Sequence, residues 1–349
     1  MSSITLTNQD RLNFVSSLST LIASGIPIME AVDSQIEESN GNLLKILKKL
    51  KEDLSQGKTI SDSLSNSPKA FDPITVNLIA AAEESGNLDV TLKNLAQNIR
   101  ADMEFLSHVK GALAYPVLIV IVLSAVIILN LFFVIPRVAT VFTRLNVAIP
   151  LPTKVLFALS IFVTANKIEV VVGLFILVLL IIIIYKTQKQ ILTNVLFSLP
   201  GISKLVIEID LTRLTRSLSL LLKSSIPITD ALALCKNIVI KKAIRDTVEN
   251  STKLVESGKK LSDGFSRTKA IPTFVVQIIQ AGEKSGTLDS SMAELSEQFE
   301  SRVTARLKNL TTLIEPMLLL FVGLMVGALM LAIIAPIYKL IGNINPRGQ

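Results

Sequence analysis

The chain has 349 residues, 50% of them hydrophobic, and a formal net charge of +7. Its mean hydropathy of +0.56 is high for a soluble protein of this length, so part of the chain is expected to be solvated by lipid. A single cysteine, Cys235, and a single histidine, His108, exclude a disulfide, a Cys/His zinc cluster and a His-based catalytic triad.

In chain order, Phe14, Leu18, Leu21 and Ile22 fall at helical spacing and form one apolar stripe. Gly25 suits the left-handed position that ends such a helix, and Pro27 suits the first turn of the next. Gly57 followed by Thr59-Ile60-Ser61-Asp62 reads as a helix stop and then a capping box. In Ser85-Gly86-Asn87-Leu88-Asp89, Gly86 ends a helix, Asn87 caps the next, and Asp89 meets its positive dipole end. The helix starting at Leu88 has no strong break before Gly111–Pro136, a run without a charged residue. It is expected to enter the membrane and kink at Pro116. Leu113–Ile135 is long enough to cross about 30 Å of hydrocarbon. Val155–Asn166 is apolar but too short to span, and reads as a helix at the bilayer surface. Ile168–Tyr185 is a shorter second span, flanked by Lys167 and Lys186, which can snorkel to the headgroups. Pro316–Tyr338 is a third, uncharged run. Cys235 lies in an apolar helical stretch and is expected in the core, with His108 on a helix surface.

Outside the apolar runs no alternating strand pattern of useful length occurs, so the expected fold class is an all-α membrane protein. Two helical-bundle domains, 1–110 and 186–314, are expected in the cytoplasm, and transmembrane helices at 111–136, 168–185 and 315–341. Residues 137–167 form an external loop with a surface helix, and 342–349 a short external tail. The first thirty residues lack the basic and apolar regions of a signal peptide, so the N-terminus is expected to stay inside. Eight Lys and Arg near the spans on the proposed cytoplasmic side, against six opposite, favour that orientation only slightly. The stronger argument is that both large polar regions then share one side.

The most specific feature is a self-match at an offset of 200 residues. The segment from Ser17 to Ile28 recurs from Ser217 to Ile228, and Ala82–Asp89 recurs as Gly282–Asp289. Gly57–Asp62 matches Gly258–Asp263 with one residue of slippage, and Pro116 corresponds to Pro316. Ser225 replaces Gly25 in the second copy, so a looser helix end is expected there. The copies differ in charge. Residues 1–110 carry 10 Lys+Arg against 14 Asp+Glu, and residues 186–314 carry 19 against 12. Two readings fit this split: drift on solvated faces, helped by anionic lipid that attracts the basic copy, or a meeting of the acidic and basic copies, within or between protomers.

Gly57-Lys58-Thr59 fails as a nucleotide-binding loop, because Glu52 occupies the position where the loop needs a glycine. Gly323 and Gly327 form a G-x-x-x-G in the third span, which suits close helix packing and a homo-oligomer contact. Asn130, the one strongly polar residue deep in the first span, is expected to hydrogen-bond to another helix. Glu83 and Glu283 each sit in the last turn before a glycine, where a carboxylate opposes the helix dipole. An exposed charge, a buried salt bridge or partner contact, and a weak cation site all remain open for the pair. With Gly86, Asp89, Gly286 and Asp289 they are the candidate contact residues of the repeat.

Ser24-Gly25-Ile26-Pro27-Ile28 and Ala281-Gly282-Glu283-Lys284-Ser285-Gly286-Thr287-Leu288-Asp289 occur with Ala114-Tyr115-Pro116, Ile314-Glu315-Pro316 and Ile149-Pro150-Leu151-Pro152-Thr153. Together they resemble the inner-membrane platform proteins of type IV pili and type II secretion systems, the PilC/GspF family. The resemblance covers nearly the whole chain, although many members carry a further N-terminal extension. It implies a non-enzymatic platform in the bacterial cytoplasmic membrane, without catalytic residues, cofactor or metal. The implied partners are a hexameric assembly ATPase, a retraction ATPase, prepilins or pseudopilins, other inner-membrane assembly proteins and membrane lipid, with no direct nucleic-acid contact. A small transporter or channel component is the alternative from another class.

Overall fold

The computed structural model describes residues 4–144, 200–268 and 270–344, together with residues 158, 161, 162, 165, 166 and 169. The described residues form helices and turns, with no strand among them. The first copy contains α1 (Asn8–Ala23), α2 (Ile28–Glu38), α3 (Gly41–Ser55), α4 (Ile60–Ser65) and α5 (Pro73–Ser85), followed by α6 (Leu88–Leu129). A π-helical turn, Asn130–Val134, leads into α7 (Ile135–Arg144). The second copy repeats the order as α8 (Pro200–Lys223), α9 (Ile228–Cys235), α10 (Lys242–Glu256), α11 (Leu261–Phe265), α12 (Thr273–Ser285) and α13 (Leu288–Ile344).

Local chemistry explains the breaks. Thr7 caps α1 with a full capping box to Asp10. Gly25 takes φ +79 after α1, and Ser225 takes φ +60 at the same place after α8. The serine gives the same bonds as the glycine. Gly25 N–H donates to Ile22 O at 2.9 Å and Ile26 N–H to Leu21 O at 3.1 Å, against 3.0 Å and 3.1 Å for Ser225 to Leu222 O and Ile226 to Leu221 O. The second turn is therefore as closed as the first, at the cost of a side chain in the left-handed region. Pro27 stands one residue before α2, as its N-cap. Thr59 accepts from Asp62 N–H at the start of α4. Asp72 accepts from the Thr75 N–H and Pro73 opens α5, a favoured order for a helix start.

The chain divides into two compact units, residues 1–109 with 200–305, and residues 110–199 with 306–349. The first unit holds both copies, and their buried side chains join in one core. Phe14 packs edge-on against Phe71 with ring centroids 5.3 Å apart, over Leu18, Leu47, Leu64 and Leu78. Leu214, Leu218, Leu232, Phe265, Met292 and Phe299 are the corresponding kind of core in the second copy. Cys235 is buried there, and burial pushes its thiol pKa up, which keeps it protonated. The two copies meet within one chain, where α5 packs against α8 and α9.

In the second unit apolar side chains point outward. Val117, Leu118, Ile121 and Val122 on α6, and Met317, Leu319, Leu320 and Leu324 on α13, are all more than half exposed. Among the described residues two helical stretches, Leu88–Arg137 and Leu288–Gly327, are long and apolar enough to cross a membrane. The proposed second span, 168–185, apart from residue 169, and most of the loop at 137–167 lie outside the described residues. The helix runs on through both Pro116 and Pro316. A π-helical turn occurs at Asn130–Val134. Pro136, just beyond, has no N–H for the Phe132 carbonyl, and a π turn is one way for a helix to absorb that loss.

Candidate functional site

The recurring acidic residues come together with the starts of α4 and α11. Glu83 lies at the C-terminal end of α5, yet its carboxylate reaches the N-terminus of α4. Its Oε1 accepts from the Ile60 N–H at 2.5 Å, and its Oε2 from the Ser61 N–H at 3.1 Å and the Ser61 hydroxyl at 2.5 Å. Glu283 does the same to α11, accepting from the Leu261 N–H at 2.5 Å, the Ser262 N–H at 3.3 Å and the Ser262 hydroxyl at 2.6 Å. Each carboxylate thus opposes the dipole of its own helix but complements that of its neighbour. The helix misfit visible in the sequence is compensated inside each copy. Gly86 and Gly286, at φ +71 and +72, end α5 and α12 in the left-handed conformation. Asp89 and Asp289 follow in the first turns of α6 and α13.

The Gly57-Lys58-Thr59 segment is a turn between α3 and α4. Lys58 Nζ donates to Oδ1 of the fully buried Asp53 at 2.7 Å, and the Ser63 hydroxyl donates to its Oδ2 at 2.8 Å. Lys49 stands 3.4 Å from the same carboxylate. The Lys58 ammonium is the main cause that holds Asp53 below its ordinary pKa, against the opposing effect of burial. The lysine therefore closes a helix end rather than facing an open loop. Asp210 plays a related part in the second copy. It accepts from the Ile240 N–H at 3.0 Å and the Lys241 N–H at 2.6 Å, ahead of α10, while burial raises its pKa.

Where the copies meet, charged groups from α8 face α6 and α13. Arg213 lies 3.6 Å from Asp102, and Arg216 sits over the Phe105 ring at 5.6 Å while also pairing with Glu300. Sequence reasoning missed these arginines because their partners are about a hundred residues away. It also gave no partner to Ser61 or Ser262, although both recur in the repeat with its one-residue slip.

The Asn130 amide donates to the Val126 carbonyl of its own helix at 2.9 Å. An added Cβ at Gly323 or Gly327 would meet nothing within 4 Å, so neither glycine packs against another described part of the chain. His108 is exposed on α6. Among the described residues no cluster of three or more His, Cys, Asp or Glu could hold a metal ion.

A family model described as type II secretion system (T2SS), protein F, matches twice, at residues 14–136 and 214–336. The two matches are displaced by the same 200 residues as the internal repeat. Among curated relatives, the type IV pilus assembly protein PilC of Myxococcus xanthus is 28% identical over 342 residues, covering 97% of this chain and 82% of the relative. PilC of Pseudomonas aeruginosa is 28% identical over 339 residues, covering 95% and 89%. The type II secretion system protein F of Vibrio cholerae is 26% identical over 326 residues, covering 93% and 80%.

Proposed function

The chain belongs to the family of type II secretion system protein F, and from that premise we propose that it is the inner-membrane platform of a type IV pilus or type II secretion machine. Its role is mechanical and non-enzymatic. It couples a cytoplasmic assembly ATPase, and in a retracting machine a second ATPase, to the extraction of prepilins or pseudopilins from the membrane and their addition to a filament. The observation that carries this reading is the paired build of α6 and α13. Each starts beside a glycine-ended helix in the packed first unit and continues without interruption into a run of outward-facing apolar side chains. A continuous helix transmits a displacement along its axis with little loss, which suits a part that relays motion from ATPase to pilin.

In this reading residues 1–110 and 186–314 face the cytoplasm and three helices cross the membrane. Reporter fusions at Asn146 and after Pro346 then read external, and a fusion at Gly258 reads cytoplasmic; an external signal at Gly258 overturns the topology. Deletion of the gene is expected to abolish surface filaments, DNA uptake or protein secretion, with rescue by the intact gene and unchanged uptake of small solutes. Normal filaments and secretion with impaired solute uptake would instead favour a transporter component.

A further inference from the structure

We propose that the cleft between the two copies is an oxyanion site that takes a small phosphate-bearing ligand. The cavity lies inside the first unit and has a volume of about 380 Å³. Arg11 from α1 lines one side, and Arg213 and Arg216 from α8 line the other. Each of the three keeps one buried guanidinium N–H without a hydrogen-bond partner: Arg11 Nε, Arg213 Nε and an Nη of Arg216. Buried donors on charged groups are costly to leave unpaired, so three around one cleft call for an acceptor inside it.

The neighbouring carboxylates do not supply that acceptor. Asp72 lines the cleft but spends both oxygens on Thr75, at 3.0 Å to its N–H and 3.1 Å to its hydroxyl. Asp102 also lines it and stays 3.6 Å from Arg213, beyond hydrogen-bond length. Glu300, which pairs with Arg216, is not among the lining residues. Guanidinium forks match the tetrahedral oxygens of a phosphoryl group better than any other side chain does.

The repeat adds an independent argument. At the 200-residue offset, Arg11 corresponds to Leu211, Arg213 to Asn13 and Arg216 to Ser16. None of the three arginines is shared by both copies, and all three lie on a cleft lined by both copies.

The test uses the full chain purified in detergent, with inorganic phosphate and pyrophosphate as probes and chloride at matched ionic strength as the reference. Titration calorimetry is expected to show one saturable site, tighter for pyrophosphate, and both anions should raise Tm above the chloride value. Arg11→Gln and Arg213→Gln should each weaken binding by about tenfold or more, while Arg267→Gln, an exposed arginine outside the cleft, leaves it unchanged. Arg213→Lys keeps the charge but not the fork and should fall between. Absence of saturable binding to the wild-type chain, as for a cleft filled by water alone, overturns the proposal. Binding that survives Arg11→Gln and Arg213→Gln intact overturns it equally.

Discussion

Replacing Glu83 by alanine removes three hydrogen bonds to an ionised acceptor and leaves the first N–H groups of α4 without a partner. Ile60 is fully buried and Ser61 nearly so, so water cannot readily take over. A side-chain helix cap is worth about 1 kcal/mol. A carboxylate at a helix N-terminus adds about 0.3–1 kcal/mol, and its removal from the C-terminal end of α5 returns only a few tenths. With the unpaired donors counted, Glu83→Ala should cost about 1.5–3 kcal/mol. For a unit the size of residues 1–109 with 200–305, each kcal/mol moves Tm by about 2–4 °C, so a fall of several degrees is expected.

The second copy sharpens this expectation. After Glu83→Ala, Thr59 still accepts from Asp62 N–H and holds part of the α4 start. The corresponding position ahead of α11 is Lys260, which makes no side-chain cap. Glu283→Ala should therefore cost about 1 kcal/mol more than Glu83→Ala. Thermal unfolding followed by circular dichroism on the detergent-purified chain measures both, with Glu84→Ala, an exposed neighbour, as the control. If Glu83→Ala and the Glu84→Ala control lower Tm equally, or if the second copy proves the more tolerant, the capping argument fails.

Lys58→Ala should leave filament assembly near normal, because the lysine closes a turn by pairing with Asp53. The Asp53 carboxyl is held below its ordinary pKa, so the ion pair contributes fully above that ordinary value and is lost as pH falls through the lowered one. The substitution should accordingly move acid unfolding to higher pH, and an unmoved acid limb counts against the pair. Ser225→Gly relieves a left-handed side chain at φ +60 but loosens the unfolded chain, for a net gain of about 0.5 kcal/mol; chemical denaturation should show a higher midpoint, and Gly25→Ser a lower one. In a double-mutant cycle, Asp102 and Arg213 should couple by only about 0.5 kcal/mol, as fits a partly exposed pair at 3.6 Å. A coupling of several kcal/mol would mean that this contact, rather than the apolar core, holds the copies together.

Much of the fold was legible because it rests on local rules. Gly86 and Gly286 mark helix ends that the structure places at φ +71 and +72, and the stripe of Phe14 and Leu18 is core. The repeat gave the helix order of the second copy from that of the first. Local rules also set the limits. Ser225 lacks the glycine signal, yet tertiary context holds it in the glycine's conformation. Pro116 lies inside a continuous helix, and the irregular turn at Asn130–Val134 carried no signal that sequence reasoning used. Glu83 looked misplaced because its dipole partner lies 22 residues earlier, beyond the range of any capping pattern.

The two copies diverged unevenly, and the places where they differ follow from what each contact joins. The Glu–Ser clamp lies inside a copy, so each copy must satisfy it alone, and Glu83 with Ser61 is matched by Glu283 with Ser262. Contacts between copies have no such constraint. If the copies met symmetrically, the Asp102–Arg213 pair would be mirrored by residues 302 and 13, which are Arg302 and Asn13. No ion pair is possible there, and Arg302 stacks instead over Phe274, 4.2 Å from the ring centroid. The charge split between the copies is thus expressed at their junction as one-way pairing. A junction that pairs one way fixes which copy is which, so the two copies, although repeats of one unit, present non-equivalent surfaces.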